Sequence, residues 1–99
     1  MQKQSGILPI DEAKNIMVNL HINNNGSKFW YQDDQRNRLN GPAYVYHYGL
    51  KIWYQNNKRH RLDGPAVEGI NKFWYYQGTE IICNTQEEFE KLIKLKVLW

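Results

Sequence analysis

Ninety-nine residues, 41 % of them hydrophobic and 23 % charged, make one domain with room for a modest core and none for a deep catalytic cleft. The net charge of +3 is unevenly spread, because residues 28–72 carry eight cations against four anions; this mildly basic surface falls well short of the dense cationic tracts of obligate nucleic-acid binders. One cysteine, Cys83, excludes an intramolecular disulfide and fits a reducing cytoplasm, and no run approaches the roughly 20 apolar residues of a membrane span.

The first segment, residues 1–27, holds no secretory leader, since the apolar stretch Gly6 to Ile10 is short, cut by Pro9 and followed by Asp11-Glu12. Asp11 to Lys14 reads as a helical turn. Ile16, Val18, Leu20 and Ile22 then alternate with Met17, Asn19 and His21, the period of a half-buried strand. Asn23-Asn24-Asn25-Gly26 supplies residues that accept positive φ for a tight connection.

Residues 28–82 repeat. Lys28-Phe29-Trp30-Tyr31-Gln32 recurs as Lys51-Ile52-Trp53-Tyr54-Gln55 and as Lys72-Phe73-Trp74-Tyr75-Tyr76. The first two copies, 23 positions apart, continue into Arg-x-Arg-Leu-x-Gly-Pro-Ala at Arg36 to Ala43 and Arg59 to Ala66. Such a period marks stacked units too small to bury an apolar side alone. Turn pairs Asp33-Asp34, Asn56-Asn57 and Gln77-Gly78 recur with the motif and predict antiparallel hairpins, for instance strand Lys51 to Gln55 followed by strand Lys58 to Leu62. Pro42 and Pro65 cannot donate to a ladder, so each opens a strand or lies on an edge. In the third copy Glu80-Ile81-Ile82 replaces the basic pair, which reads as a core-facing cap.

Residues 83–99 contain the one convincing helix, predicted over about residues 85–97. Thr85 and Glu88 form a capping box, Glu87 and Glu88 suit the positive end of the dipole, and Lys91, Lys94 and Lys96 suit the other. Phe89, Leu92, Ile93 and Val97 share a side that packs on the sheet, with Trp99 closing an end. The fold class is therefore mainly β (α+β): an antiparallel β-hairpin repeat sheet capped by a C-terminal α-helix.

Strand alternation places Trp30, Trp53 and Trp74 on one face, and Phe29/Tyr31, Ile52/Tyr54 and Phe73/Tyr75 on the other. These rings either pack as cross-strand ladders or, where exposed beside cations, form a base-stacking platform. One helix covers one face only, which leaves the other, with Tyr44, Tyr46 and Tyr48, partly bare for a homodimer or a partner protein. Arg36 and Arg38, and likewise Arg59 and Arg61 with Lys58 and His60 nearby, are expected to share a face and fork around a phosphate or carboxylate; otherwise Arg61 pairs with Asp63. His21, His47 and His60 have no metal-ligand spacing, and no catalytic set or phosphate loop emerges, so no metal, cofactor or catalytic residue is expected.

Trp53 to Ala66, Trp-Tyr-x-x-x-x-Arg-His-Arg-Leu-Asp-Gly-Pro-Ala, resembles the MORN-like repeats of small proteins from bacteriophages and large DNA viruses. Glu87-Glu88-Phe89 through Trp99 is similar to the tail that closes phage members, and the resemblance covers about two thirds of the chain. The first copy departs from the pattern at Asp33-Asp34 and Asn37-Arg38. The resemblance implies hairpin interaction modules and a phage accessory protein in the host cytoplasm that binds and modulates or inhibits a host defence or regulatory protein. The alternative is a binder of RNA, single-stranded DNA or a signalling nucleotide through the Arg pairs and aromatics.

Overall fold

The structure, a computed structural model, describes residues 18–97. Among these residues ten strands precede one helix: β1 (Val18–Ile22), β2 (Lys28–Gln32), β3 (Gln35–Arg36), β4 (Tyr44–Val45), β5 (Lys51–Ile52), β6 (Tyr54–Gln55), β7 (Lys58–Arg59), β8 (Val67–Glu68), β9 (Lys72–Tyr76), β10 (Thr79–Ile81) and α1 (Gln86–Val97). The main sheet runs β1-β2-β4-β5-β8-β9-β10, with β3 also on β2, and β6 pairs with β7. Every pairing is antiparallel, so the expected class holds: antiparallel β with a single C-terminal helix. The helical turn expected at Asp11 to Lys14 and the role given to Trp99 lie outside the described residues.

The hairpin turns fall where the sequence places them. Asp33 and Asp34 have φ of 52° and 63°, Asn56 and Asn57 of 51° and 66°, and Gln77 and Gly78 of 47° and 89°. Positive φ at both central residues is the type I′ geometry, whose twist matches that of the strands it joins.

Between its turns each copy differs from a plain hairpin. In the second copy the expected strand Lys51 to Gln55 is split at Trp53, because the chain changes partner there: β5 pairs with β8 and β6 with β7. The backbone of Trp53 bridges the two pairings, its N–H donating to Ala66 O (2.8 Å) and its carbonyl accepting from His60 N (3.0 Å). Trp30 does the same between Ala43 O (2.7 Å) and Asn37 N (3.3 Å). Ala43 and Ala66, the last residues of the two Gly-Pro-Ala segments, are wholly buried beneath these forks.

An arginine locks each fork. The Arg38 guanidinium carbon lies 3.8 Å from the centre of the Trp30 ring and Nη1 donates to Pro42 O at 3.3 Å. Arg61 repeats this over Trp53 at 3.7 Å, with Nη1 on Pro65 O at 3.2 Å and Nε on Asp63 at 2.9 Å. The glycine of the motif then follows from space. A Cβ on Gly64 would stand 2.6 Å from the Arg61 guanidinium carbon, and one on Gly41 3.2 Å from that of Arg38.

At the C-terminal end α1 takes over the Trp face. Trp74 Nε1 donates to Gln86 Oε1 (2.8 Å), whose Nε2 in turn donates to Leu62 O (2.8 Å). The capping box forms with one variation: Glu88 N donates to Thr85 Oγ1 (3.1 Å), but the Glu88 carboxylate accepts from Asn84 N (2.8 Å), one residue before the cap. Phe89 is buried at 1 % exposure, Ile93 is half-buried, and Leu92 stays 40 % exposed, so the helix seats mainly through its first turns.

Two burial expectations need correction. In the third copy Ile81 is half-buried but Ile82 is 81 % exposed, since β10 ends at Ile81 and its alternation stops with it. In β1, Leu20 and Ile22 keep 47 % and 60 % exposure, because β1 is an outer strand whose apolar side is not covered.

The Arg–Trp–Gly contact yields a double-mutant test. Gly64→Ala should destabilise the fold by about 1–2 kcal/mol by pushing Arg61 off Trp53 and Pro65 O. In an Arg61→Ala background the same change should cost little, and denaturant titration of the four proteins reads the difference. Additive costs would mean that Gly64 is required for another reason.

Candidate functional site

Opposite the tryptophans, the second face is built on a ladder of alternating tyrosines and arginines. Tyr31 pairs across the hairpin with Arg36, Tyr54 with Arg59, and Tyr75 with Glu80. Each arginine also reaches the next copy. The Arg36 guanidinium lies 4.3 Å from the Tyr54 ring centre, with Nη1 on Tyr54 Oη (3.1 Å), Nε on Asn57 Oδ1 (2.6 Å) and Nη2 on Asn57 O (3.3 Å). Arg59 lies 5.3 Å from the Tyr75 ring centre with Nη1 on Tyr75 Oη (3.1 Å). Hydrogen bonding to Tyr54, together with that to Tyr75, holds the Arg59 pKa above its ordinary value against the opposing effect of burial. Backbone bonds from Asn57 N to Arg36 O (3.0 Å) and from Gly78 N to Arg59 O (2.8 Å) run beside the ladder.

The expected arginine forks do not form. Arg36 and Arg38 project from opposite faces, the first onto Tyr54 and the second onto Trp30, and Arg59 and Arg61 divide in the same way. The physical reason is that β3 ends at Arg36 and β7 at Arg59, so strand alternation does not extend to the second arginine. The pairing of Arg61 with Asp63 is present, with a second contact to Glu68 at 3.6 Å. Lys58 is exposed and borders an open groove with Arg36, Tyr54, Arg59 and Tyr75, in which no lining residue is a carboxylate.

Tyr44, Tyr46 and Tyr48 do lie together on the ladder face. Tyr44 packs on Phe29 (4.8 Å) and Tyr54 (5.1 Å) between ring centres and shares a 2.9 Å hydroxyl hydrogen bond with Tyr31. Burial, then the bond to Tyr31, raises the Tyr44 pKa well above that of a free phenol, and burial raises that of Tyr46. Both therefore stay protonated. Tyr48, stacked on Tyr46 at 5.5 Å, is 67 % exposed.

Beyond these tyrosines the sequence reading missed the rest of the apolar strip. Ile70, in the turn between β8 and β9, is entirely exposed, and Phe73 keeps 42 % exposure. Together with Tyr48, Leu50 and Val67 they line one shallow depression. The signal was an isoleucine set in the turn sequence Gly69-Ile70-Asn71, where a packed side chain is not expected.

His60 is buried, and its Nδ1 accepts a hydrogen bond from Gln77 N (2.9 Å), tying the second copy to the third turn. Among the described residues no three His, Cys, Asp or Glu side chains gather where a metal ion could bind, and no helix is long and apolar enough to cross a membrane. The Cys83 thiol, half-buried 3.6 Å from Ile81 O, has its pKa raised by burial. No family model, curated protein or solved structure matches the chain.

The His60 environment makes stability depend on pH. Burial lowers its folded pKa below the ordinary value of 6.5, so the neutral form carries the Gln77 bond. Stability should be full above that value and decline as pH falls through it toward the folded pKa, because the unfolded chain takes up the proton first. His60→Asn, which copies Asn37 of the first copy, should remove this step from denaturation midpoints measured between about pH 7 and 5. A slope unchanged in the variant would assign the dependence elsewhere.

Proposed function

We propose that the protein is a non-enzymatic interaction module that docks a partner protein on its ladder face. The observation that carries this reading is the open apolar strip of Tyr48, Ile70 and Phe73, continuous with the half-buried ring of Tyr46 and left uncovered by α1, which is bonded to the opposite face at Trp74. Exposed rings beside an exposed isoleucine are the composition of interface centres. The resemblance to phage and viral repeat proteins supports an accessory role on a host defence or regulatory protein in the host cytoplasm. Self-association through the strip would make the partner a second copy.

The alternative is a phosphate-bearing ligand, RNA, single-stranded DNA or a nucleotide, in the groove of Arg36, Lys58 and Arg59. The cationic lining favours it. Against it stands the use of Arg36 Nε, Nη1 and Nη2 by protein acceptors, which a phosphate would have to displace.

Ile70→Ser and Tyr48→Ser should each weaken binding of a partner recovered from host lysate by about tenfold or more, at unchanged denaturation midpoints, because the exposed side chains contribute little to the fold. That binding should survive raised salt. Binding that is lost in salt and insensitive to both substitutions would place the interface on the cationic groove. A dimer in sedimentation, dissociated by Ile70→Ser, would identify the partner as the chain itself.

A further inference from the structure

Two rungs of the ladder show what a tyrosine of this series binds. Tyr54 is covered by Arg36 and Tyr75 by Arg59, each cation arriving from the preceding copy. Tyr31 occupies the same position in the first copy, and residues 1–27 carry neither the repeat motif nor an arginine. β1 stands there instead, setting Asn19 opposite Tyr31 and the His21 ring edge-on at 5.3 Å. Both side chains are shorter than arginine, and a recess of about 570 Å³ opens beside Tyr31, bordered by Phe29, Tyr44, His21 and Asp34.

Asp34 sharpens the comparison. It is the counterpart of Asn57, the second residue of the type I′ turn, with φ of 63° against 66°. Asn57 gives Arg36 two acceptors, its amide oxygen and its carbonyl. In the first copy the amide is replaced by a carboxylate. The recess thus repeats the known arginine receptor with a charged acceptor in place of a neutral one, next to an aromatic face.

We propose that this recess binds the guanidinium group of an arginine side chain presented by a partner protein, stacked on Tyr31 and paired with the Asp34 carboxylate. The identification of the bearer as a protein rests on the docking reading above, whereas the ligand chemistry rests on Tyr31 and Asp34 alone. Arginine fits better than lysine because the template acceptors are arranged for a planar fork, and a compact ammonium cannot lie flat on the ring while reaching two acceptors.

N-acetyl-arginine N-methylamide is the probe, titrated into the full chain with the lysine and citrulline equivalents while the ring resonances of Tyr31 and His21 are followed. The arginine probe should shift both resonances saturably, lysine should bind more weakly, and citrulline, which keeps the shape without the charge, should leave them unmoved. Asp34→Asn reproduces the residue of the second turn, so the fold should persist while affinity falls about tenfold, the loss of one charge-assisted contact. Absence of shifts up to the solubility of the probe, equal binding of citrulline, or full affinity in Asp34→Asn would each overturn the site. The bearer is tested separately with the partner itself: weakening by Asp34→Asn and by excess arginine probe supports a partner arginine. A partner that responds to Ile70→Ser but to neither of these overturns that assignment and leaves the docking reading standing.

Discussion

The fold depends on arginines laid on aromatic rings. Among the described residues, each of Arg36, Arg38, Arg59 and Arg61 stacks on a ring with its carbon 3.7–5.3 Å from the ring centre, two on each face. A sheet of two- to five-residue strands has little aliphatic core to offer, and among the described residues the buried hydrophobic cluster of the sheet is Ala43, Ile52 and Tyr54. A guanidinium can cover a ring as an apolar group would and still satisfy backbone carbonyls at its edge, which leucine cannot do. On the Trp face the stack closes a copy on itself, through Pro42 O and Pro65 O. On the Tyr face it fastens one copy to the next, through Tyr54, Asn57 and Tyr75.

This division explains the spacing of the motif. The tryptophan backbone sits where one strand changes partners, so its ring is fixed by both pairings at once. The arginine that covers it comes from just beyond the hairpin, and a Cβ three residues later would crowd that guanidinium, tightly at Gly41 and with displacement at Gly64. Trp, Arg and Gly are therefore one device, and their recurrence at Trp30/Arg38/Gly41 and Trp53/Arg61/Gly64 reflects packing. The first arginine of each pair is conditioned differently: it needs a tyrosine on the following copy, to which Arg36 adds two acceptors on Asn57.

Much of this was legible in the sequence, and the failures share a cause. The turns could be read because Asp33-Asp34, Asn56-Asn57 and Gln77-Gly78 combine residue types that tolerate positive φ, and the helix because Thr85 and Glu88 carry capping chemistry. These are local signals. The side assignment of Arg38 and Arg61 failed because alternation was extended past strands that end at Arg36 and Arg59, and where a strand ends is set by pairing with distant residues. Ile82, expected to face the core because apolar residues replace the basic pair there, lies one residue beyond the end of β10 and is exposed. The tyrosine cluster at Tyr44, Tyr46 and Tyr48 was found from face and area, yet Ile70 was not, because exposure of a turn residue has no periodic signature.

A repeat array has two ends that cannot both be like its middle, and here they differ in charge as well as in shape. At the C-terminal end the third copy puts Glu80 opposite Tyr75, where the other copies put arginine, and α1 binds Trp74 in place of an Arg stack. At the N-terminal end the ring of Tyr31, met by His21 edge-on and by no arginine, lies beside Asp34. Stacking one molecule on another in continuation of the ladder would bring Glu80 of the first against Asp34 of the second, two carboxylates where every internal junction has an arginine and a neutral acceptor. Like charges at such a contact oppose it, and β1 already occupies the edge of β2 where a further copy would add. At Tyr31 the acidic residue lies beside a ring that no arginine of the ladder covers, whereas Tyr54 and Tyr75 are covered by Arg36 and Arg59.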